Sequence, residues 1–344
     1  MDGDGRSPSP VTLEEVARRA GVSPSTVSRI LNGTARVRES KRKAVERAIA
    51  ELDYRPNVIA RGLARGRTMS VGVITQDIAS PFYNETLKGI EDSVAKVGYA
   101  PLFVSGHGTA AKEAERMALL MARRVDGVIV LTGMIDDPSL LSHAQRLPIV
   151  VTGRTLQGPN LVSIHLDNEQ AGYDATRHLL ELGHNRIAHI AGPVLNVDAQ
   201  ERLAGYRRAL TDAGVPVDER LIAFGDFHET GGLLALNQLL ETRINFTALF
   251  VANDQMAYGA RLALYRKGIR VPEDVSLIGF DDLPSSLYTT PPLTTVRQPA
   301  YDLGKVAGEA ILRLIDGQSP SLPELPLQII VRESTQRRRG QSFG

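Results

Sequence analysis

Ser25, Ser28, Arg29 and Asn32 are spaced at i, i+3, i+4 and i+7, which places them on one side of a helix. Short hydroxyl side chains let such a surface lie close to a polyanion. The planar fork of Arg29 suits bidentate reading of a guanine edge, and Thr12, Thr26 and Asn32 suit phosphate oxygens. This is the chemistry of nucleic-acid recognition rather than of bond making. An ordinary three-helix bundle with a solvated second helix would also show a polar face, but the elements around this one are more particular than that.

Thr12 with Glu15 three residues later forms a capping box that opens a first helix, and Leu13, Val16 and Ala17 supply its apolar face. Ala20, Gly21 and Val22 make a tight turn. Ser23 can cap the second helix, and Pro24 sits at the first helical position, where no amide donor is missed. Val27, Ile30 and Leu31 turn to a core, and Asn32 with Gly33 ends the helix. A third helix is expected from about Ser40 to Leu52, with Val45, Ile49 and Leu52 packing back. Caps, turn and faces together read as a helix-turn-helix.

Pro56 restarts the chain, and residues 57–64 give about two helical turns that include Gly62. Isolated helices shorter than roughly 12 residues are marginal in water, and an interior glycine costs about 1 kcal/mol more. The segment is therefore expected to be loose alone and helical on DNA. Leu63 suits a wedge between base pairs in a minor groove and equally suits a linker anchor on the following domain; the segment alone leaves both open.

At 344 residues, with 42% apolar and 23% charged side chains, the chain is long enough for two or three soluble domains with sizeable cores. It has no cysteine, which excludes disulfides and thiolate metal sites and fits a reducing cytoplasm. The first ten residues are polar, with no apolar stretch of the signal-peptide kind, and no run approaches the ~18 apolar residues of a membrane span. The net charge of +1 conceals an asymmetry. Residues 1–68 hold 14 Lys/Arg against 8 Asp/Glu, and the remainder 26 against 31. A basic head on an acidic body points to a polyanion met by the head alone.

From residue 69 short apolar runs alternate with helical patterns. Residues 70–74, 101–104, 127–131 and 149–151 read as buried parallel strands, and 187–191, 221–224, 248–252 and 275–280 repeat the scheme. Helices are expected at 85–97, 110–124, 169–182, 199–213, 230–240 and 254–267. The result is two similar α/β lobes. No glycine-rich phosphate loop and no nucleophile elbow accompanies them. The histidines lack metal-ligand spacing, and His184 and His189 read as structural. An enzyme, a metal centre and a cofactor all lack support.

Polar and aromatic residues gather just beyond the strand ends, where open α/β sheets bind ligands. These are Asp77, Phe82, Arg154, Arg202, Phe227, Asn253 and Asp281. An arginine fork, carboxylate and amide acceptors and an aromatic face are what a polyhydroxylated ligand needs. Asp77 reads equally as a turn cap and Phe82 as interlobe core. Asp254 is expected simply to cap the next helix.

From Val11 to about Thr335 the chain resembles the lactose-repressor family of bacterial transcription regulators. The resemblance rests on VSPSTVSRILNG, YRPNVIARGLA, LLELGHNRIAHIAGP, ERLAGY, VANDQMA, LIGFDD and PPLTTVRQP. It implies that Leu63 pries open a central base step, and that Arg202, Asn253 and Asp281 grip a small effector. The DNA-facing set becomes Thr12, Ser23, Pro24, Ser25, Thr26, Ser28, Arg29, Asn32, Tyr54, Asn57, Ala60 and Leu63. Two departures bear on the ligand: Gly153 stands where many relatives place an aspartate, and Ala300 where some present an aromatic. The last nine residues carry no heptad pattern, so the coiled coil that makes some relatives tetramers is absent.

The expected architecture is a small all-α helix-turn-helix head on an α/β body of two similar lobes with parallel sheets, like a type I periplasmic binding protein. A disordered tail (1–10) precedes the head (11–54), and a hinge helix and linker (55–67) follows it. An effector-binding and dimerisation domain (68–335) ends in a polar tail (336–344). The near lobe spans about 69–168 and 298–327, the far lobe about 169–297 and 328–335. The implied protein is a homodimeric, cytoplasmic repressor that meets a pseudo-palindromic DNA operator and a sugar-like effector, with no membrane and no cofactor. A global regulator controlled by a phosphorylated protein partner is the alternative, and a free-standing sugar-binding transport protein or sugar enzyme fits less well.

Overall fold

The computed structural model describes residues 11–31, 37–54 and 66–338, in two compact units that meet between Thr68 and Met69. In the first, α1 (Leu13–Ala20) opens with the capping box: the Glu15 amide donates to Thr12 Oγ1 at 3.3 Å and the Thr12 amide to Glu15 Oε2 at 2.7 Å. Gly21 closes the helix at φ +64°, a left-handed conformation that glycine adopts without a Cβ penalty. α2 (Pro24–Leu31) and α3 (Glu39–Glu51) complete the bundle. Val16, Ala17, Val27, Val45 and Ala48 form its core, and Arg19 ties α1 to Glu51 at the end of α3. The hinge segment lies outside the described residues.

The second unit holds two parallel-stranded lobes. The near lobe contains β1 (Ser70–Thr75), α4 (Pro81–Ala95), β2 (Ala100–Ser105), α5 (Ala110–Ala122), β3 (Gly127–Val130), α6 (Asp137–Ala144), β4 (Ile149–Thr152) and β5 (Leu161–Ile164). Its strands lie in the order β2-β1-β3-β4-β5. The far lobe begins with α7 (Asn168–Glu181), β6 (Ile187–Ala191) and α8 (Val197–Asp212). It continues through β7 (Ile222–Phe224), α9 (Glu229–Glu241), β8 (Ala248–Val251), α10 (Asp254–Arg266), β9 (Ser276–Asp281) and β10 (Thr294–Arg297). α11 (Ala300–Ile315) then returns to pack on α4 and β3 of the near lobe, and β11 (Gln328–Ile330) closes the far sheet, ordered β11-β10-β9-β8-β6-β7. Only the β10–β11 pair among these ladders is antiparallel. The central strands are buried on both faces, as their unbroken Val/Ile/Leu runs require.

Five elements were not among the expected ones: β5, β10, β11, α6 and α11. Three of them are strands of three or four residues. Such runs carry little periodicity, and their pairing partners in the sheet define them. His189 is buried between Tyr206 and Phe250, with ring centroids at 4.9 and 4.6 Å, and burial pushes its imidazole down to about 3. Among the described residues no group of three or more potential ligands could hold a metal ion, and no helix is long and apolar enough to cross a membrane.

Candidate functional site

On the head, Thr12, Ser23, Pro24, Ser25 and Arg29 are exposed, and Thr26 and Ser28 are half-buried. Two of these hydroxyls have structural duties. Thr12 belongs to the capping box, and Ser23 Oγ lies 2.9 Å from Ser25 Oγ and 2.8 Å from Thr26 Oγ1 while accepting the Thr26 amide. Tyr54 is not presented with them. It is 8% exposed and packs into the head core, where the chain folds back after α3. Asn32, Asn57, Ala60 and Leu63 lie outside the described residues.

In the body a cavity of about 390 Å³ opens between the lobes at the C-terminal ends of their strands. Arg202, in the second turn of α8, is 4% exposed. Its position depends on a close helix crossing. A Cβ on Gly172 would come within 2.4 Å of the Arg202 carbonyl oxygen, so only glycine lets α7 approach α8 this far. The crossing sets Asn168 beside the guanidinium, whose Nε donates to Asn168 Oδ1 at 2.9 Å and Nη1 to the Ala252 carbonyl at 2.6 Å. The guanidinium carbon lies 3.7 Å from the centre of the Phe280 ring.

Asn253 caps α10: its Oδ1 accepts the Met256 amide at 3.0 Å while its Nδ2 donates to the Phe227 carbonyl at 2.9 Å. The expectation for Asp254 is corrected here, since Asn253 performs the capping one residue earlier. Asp254 instead lies fully buried and accepts from Leu283, Ser286 and Thr295. Asp281 ends β9 at φ +113° and Phe227 stands at φ +70°, both in the region that normally favours glycine. Gln298 Nε2 donates to Asp281 Oδ1 at 2.7 Å. Burial, only partly offset by the Arg202 charge, pushes the Asp281 carboxyl up to about 8.

The near lobe contributes Asp77 and Phe82. Asp77 also serves its turn, accepting the Ala79 amide at 2.9 Å, and Phe82 packs edge-on against Tyr83. Arg154 does not join this cavity. Its guanidinium is held by the carbonyls of Ile135 and Gly133 and by Asp137 at 2.9 Å, in a side recess that Leu195 also lines. The left-handed Gly153, at φ +71°, precedes that departure. The sequence reading missed Tyr83, Asp198, Asn196 and Gln298, all of which line the cavity. Asp198 accepts from Asn168 Nδ2 at 3.0 Å, and burial raises its carboxyl above the usual range. Asn196, an N-cap immediately after a strand–loop unit, carried a signal that could have found it. Across the cleft, Ser80 Oγ donates to Gln255 Oε1 at 3.1 Å, one hydrogen bond between the lobes.

Residues 12–57 match the bacterial regulatory proteins, lacI family. Residues 68–333 match the periplasmic binding proteins and sugar binding domain of the LacI family. The chain belongs to the lacI family of bacterial regulatory proteins. It is 37% identical to catabolite control protein A of Priestia megaterium, over 94% of this chain and 99% of that one. It is 39% identical to the HTH-type transcriptional regulator GalR of Escherichia coli K12, over 91% of each. Among solved structures, the lac repressor dimer bound to operator and the anti-inducer ONPF superposes with a TM-score of 0.85 at 33% identity, over 95% of this chain and all of that one. A transcriptional regulator CelR–cellobiose complex superposes with a TM-score of 0.71 at 36% identity, over 94% and 99%. The regulator is thus a DNA-binding transcriptional repressor of this family, with a helix-turn-helix head and a sugar-binding type of body.

Proposed function

We propose that this regulator binds a pseudo-palindromic operator as a homodimer, and that a small sugar-like effector in the interlobe cavity changes its DNA affinity. The carrying observation is the convergence of Arg202, Asn253, Asp281 and Phe227 on one cavity between two lobes. Arginine, amide and carboxyl groups give hydroxyls both donors and acceptors, and the aromatic faces suit ring C–H groups. Two lobes joined by strand-end crossovers form a hinge, and a ligand that touches both favours one degree of closure. Relatives point the same way: one solved structure holds cellobiose and another an anti-inducer.

Dimerisation is supported by apolar side chains on the far lobe. Leu262 and Tyr265 line a recess there, and the exposed Leu287 and Tyr288 directly precede Thr289 of its wall in the chain; Tyr265 and Tyr288 are 80% and 81% exposed. Large exposed aromatic groups clustered in this way mark an association surface. A two-fold dimer matches a palindromic site. The protein acts where the DNA is, in the cytoplasm, and its relatives are regulators rather than enzymes.

The test is operator binding by the full-length protein, titrated with neutral sugars. Arg29→Ala is expected to lose about 1–3 kcal/mol of sequence discrimination per half-site and to keep effector binding. Unchanged operator preference in that variant would remove Arg29 from base reading, and DNA affinity indifferent to every cleft ligand would remove the effector.

A further inference from the structure

The charges lining the cavity are lopsided. We propose that the cleft accepts an uncharged, hydroxyl-rich ligand and rejects the phosphorylated or carboxylated form of the same molecule. This rests on the effector reading above and narrows it.

Four carboxyl groups line the cavity, those of Asp77, Asp198, Asp226 and Asp281, against no lysine, a single arginine and the imidazoles of His107 and His228. That arginine is largely committed. Arg202 uses Nε and Nη1 on Asn168 and Ala252, stacks on Phe280, and is flanked by Asp281 and Asp198, the two charges that most strongly support its protonated form. A phosphate or carboxylate ligand calls for several charge-assisted donors. Here it would compete with Asp198 for what remains of one guanidinium.

Helix N-termini are the other ready anion sites in such a fold. Two of those at the cleft, the starts of α8 and α10, carry side-chain caps, whereas those of α4 and α9 do not. Asn196 Oδ1 takes the Ala199 amide at the start of α8, at 2.9 Å. Asn253 Oδ1 takes the Met256 amide at the start of α10. Ahead of α9, Asp226 Oδ1 takes the His228 amide at 2.9 Å and adds a negative charge. A neutral polyol meets none of these obstacles, because each hydroxyl donates to a carboxyl oxygen and accepts from an amide or guanidinium. The carboxyl of Asp281, held up at about 8 by burial, adds a proton it can donate at neutral pH.

The experiment is calorimetric titration of the full-length protein with glucose, galactose, ribose, maltose and cellobiose, and with glucose 6-phosphate, galactose 6-phosphate, ribose 5-phosphate, gluconate and galacturonate. At least one neutral sugar is expected to bind, with its anionic counterpart weaker by about 100-fold or more, the range of a like-charge clash in a desolvated site. The double variant Asp77→Asn/Asp226→Asn should narrow that gap, since it removes two of the lining carboxylates. An anionic sugar that binds as well as its neutral parent overturns the proposal and leaves the effector cleft standing. A gap unmoved in that double variant also overturns it, by showing that charge is not its origin. If no sugar of either kind binds, both this proposal and the effector reading fall.

Discussion

Glu113 and Arg154 grip the same turn from opposite ends of its peptide units. The Glu113 carboxylate accepts the amides of Met134 and Ile135, while the Arg154 guanidinium donates to the carbonyls of Gly133 and Ile135. Glu113 is fully buried in a slot made by missing side chains. A Cβ on Gly106 would lie 2.2 Å from its Cγ, and one on Gly133 would lie 2.7 Å from Oε2. The turn so held carries Thr132, at φ +44°, and Met134 into the cavity wall. Arg154 thus serves the cleft from behind rather than touching its contents.

Glu113→Ala removes two hydrogen bonds to a buried carboxyl group, each worth on the order of 1.5–3 kcal/mol. The variant is expected to unfold at lower denaturant and to bind effector more weakly. Glu113→Gln keeps one acceptor oxygen in place and should recover much of both. Denaturation midpoints read together with effector affinity check this. Equal loss in the Gln and Ala variants would mean that charge, not the hold on the turn, is what matters.

The buried acids give the body an unusual pH dependence. The folded protein holds a proton on Asp281 up to about 8, and on Asp254 up to about 6, whereas the unfolded chain releases both near 4. Folding then binds protons between these values. The contribution of the two acids is complete below about 4 and declines as pH rises, through about 6 for Asp254 and about 8 for Asp281. Asp281→Asn, which mimics the protonated form in shape and charge, should flatten the upper part of that decline and be relatively more stable at pH 8. Thermal unfolding of both proteins from pH 5 to 9 measures it, and parallel curves would place the Asp281 proton elsewhere.

Association should depend on the exposed aromatic groups of the far lobe. Tyr288→Asp puts a charge on a residue 81% exposed, with Leu287 next to it in the chain. Folding should be unaffected, because a surface position of this kind contributes within about 0.5 kcal/mol. Self-association should not survive the burial of an unpaired charge. Sedimentation at micromolar concentration is expected to show a dimer for the parent and a monomer for the variant. A variant that still sediments as a dimer would move the interface to another face.

Much of this was legible in residue order, for a local reason. The capping box of Thr12 and Glu15, the Gly21 turn and the buried strands are short-range patterns, and each is found within a residue or two of its expected place. Arg202, Asn253 and Asp281 follow strand ends, so topology alone draws them together. Gln298 and Asp198 were invisible because their relevance comes from crossings between distant segments: Gln298 stands 100 residues from Asp198, and Asp198 stands 64 from Met134 on the near-lobe wall. Arg154 follows a strand end as well, yet the backbone turn at Gly153 and the waiting carbonyls of Gly133 and Ile135 take its guanidinium away. Tyr54 lies in a DNA-recognition motif and still fills a core, since a head this small has few large side chains with which to close it.

Arg202 should separate sensing from DNA binding. Truncation to alanine removes a buried charge together with its hydrogen bonds to Asn168 and Ala252 and its stack on Phe280, leaving Asp281 and Asp198 without their nearest cation. Each charge-assisted bond lost is worth on the order of 1.5–3 kcal/mol, so some loss of stability is expected beside the loss of effector. Arg202→Lys keeps the charge but not the planar fork that spans two partners and stacks on a ring. It should therefore restore stability more than it restores effector affinity. The head folds around its own core, so both variants should still hold operator DNA while failing to respond to sugar. Operator binding titrated with the sugar that binds the parent protein, alongside thermal unfolding, distinguishes the outcomes. A lysine variant that responds at the parent's sugar concentration would show that the cleft reads charge alone at this position.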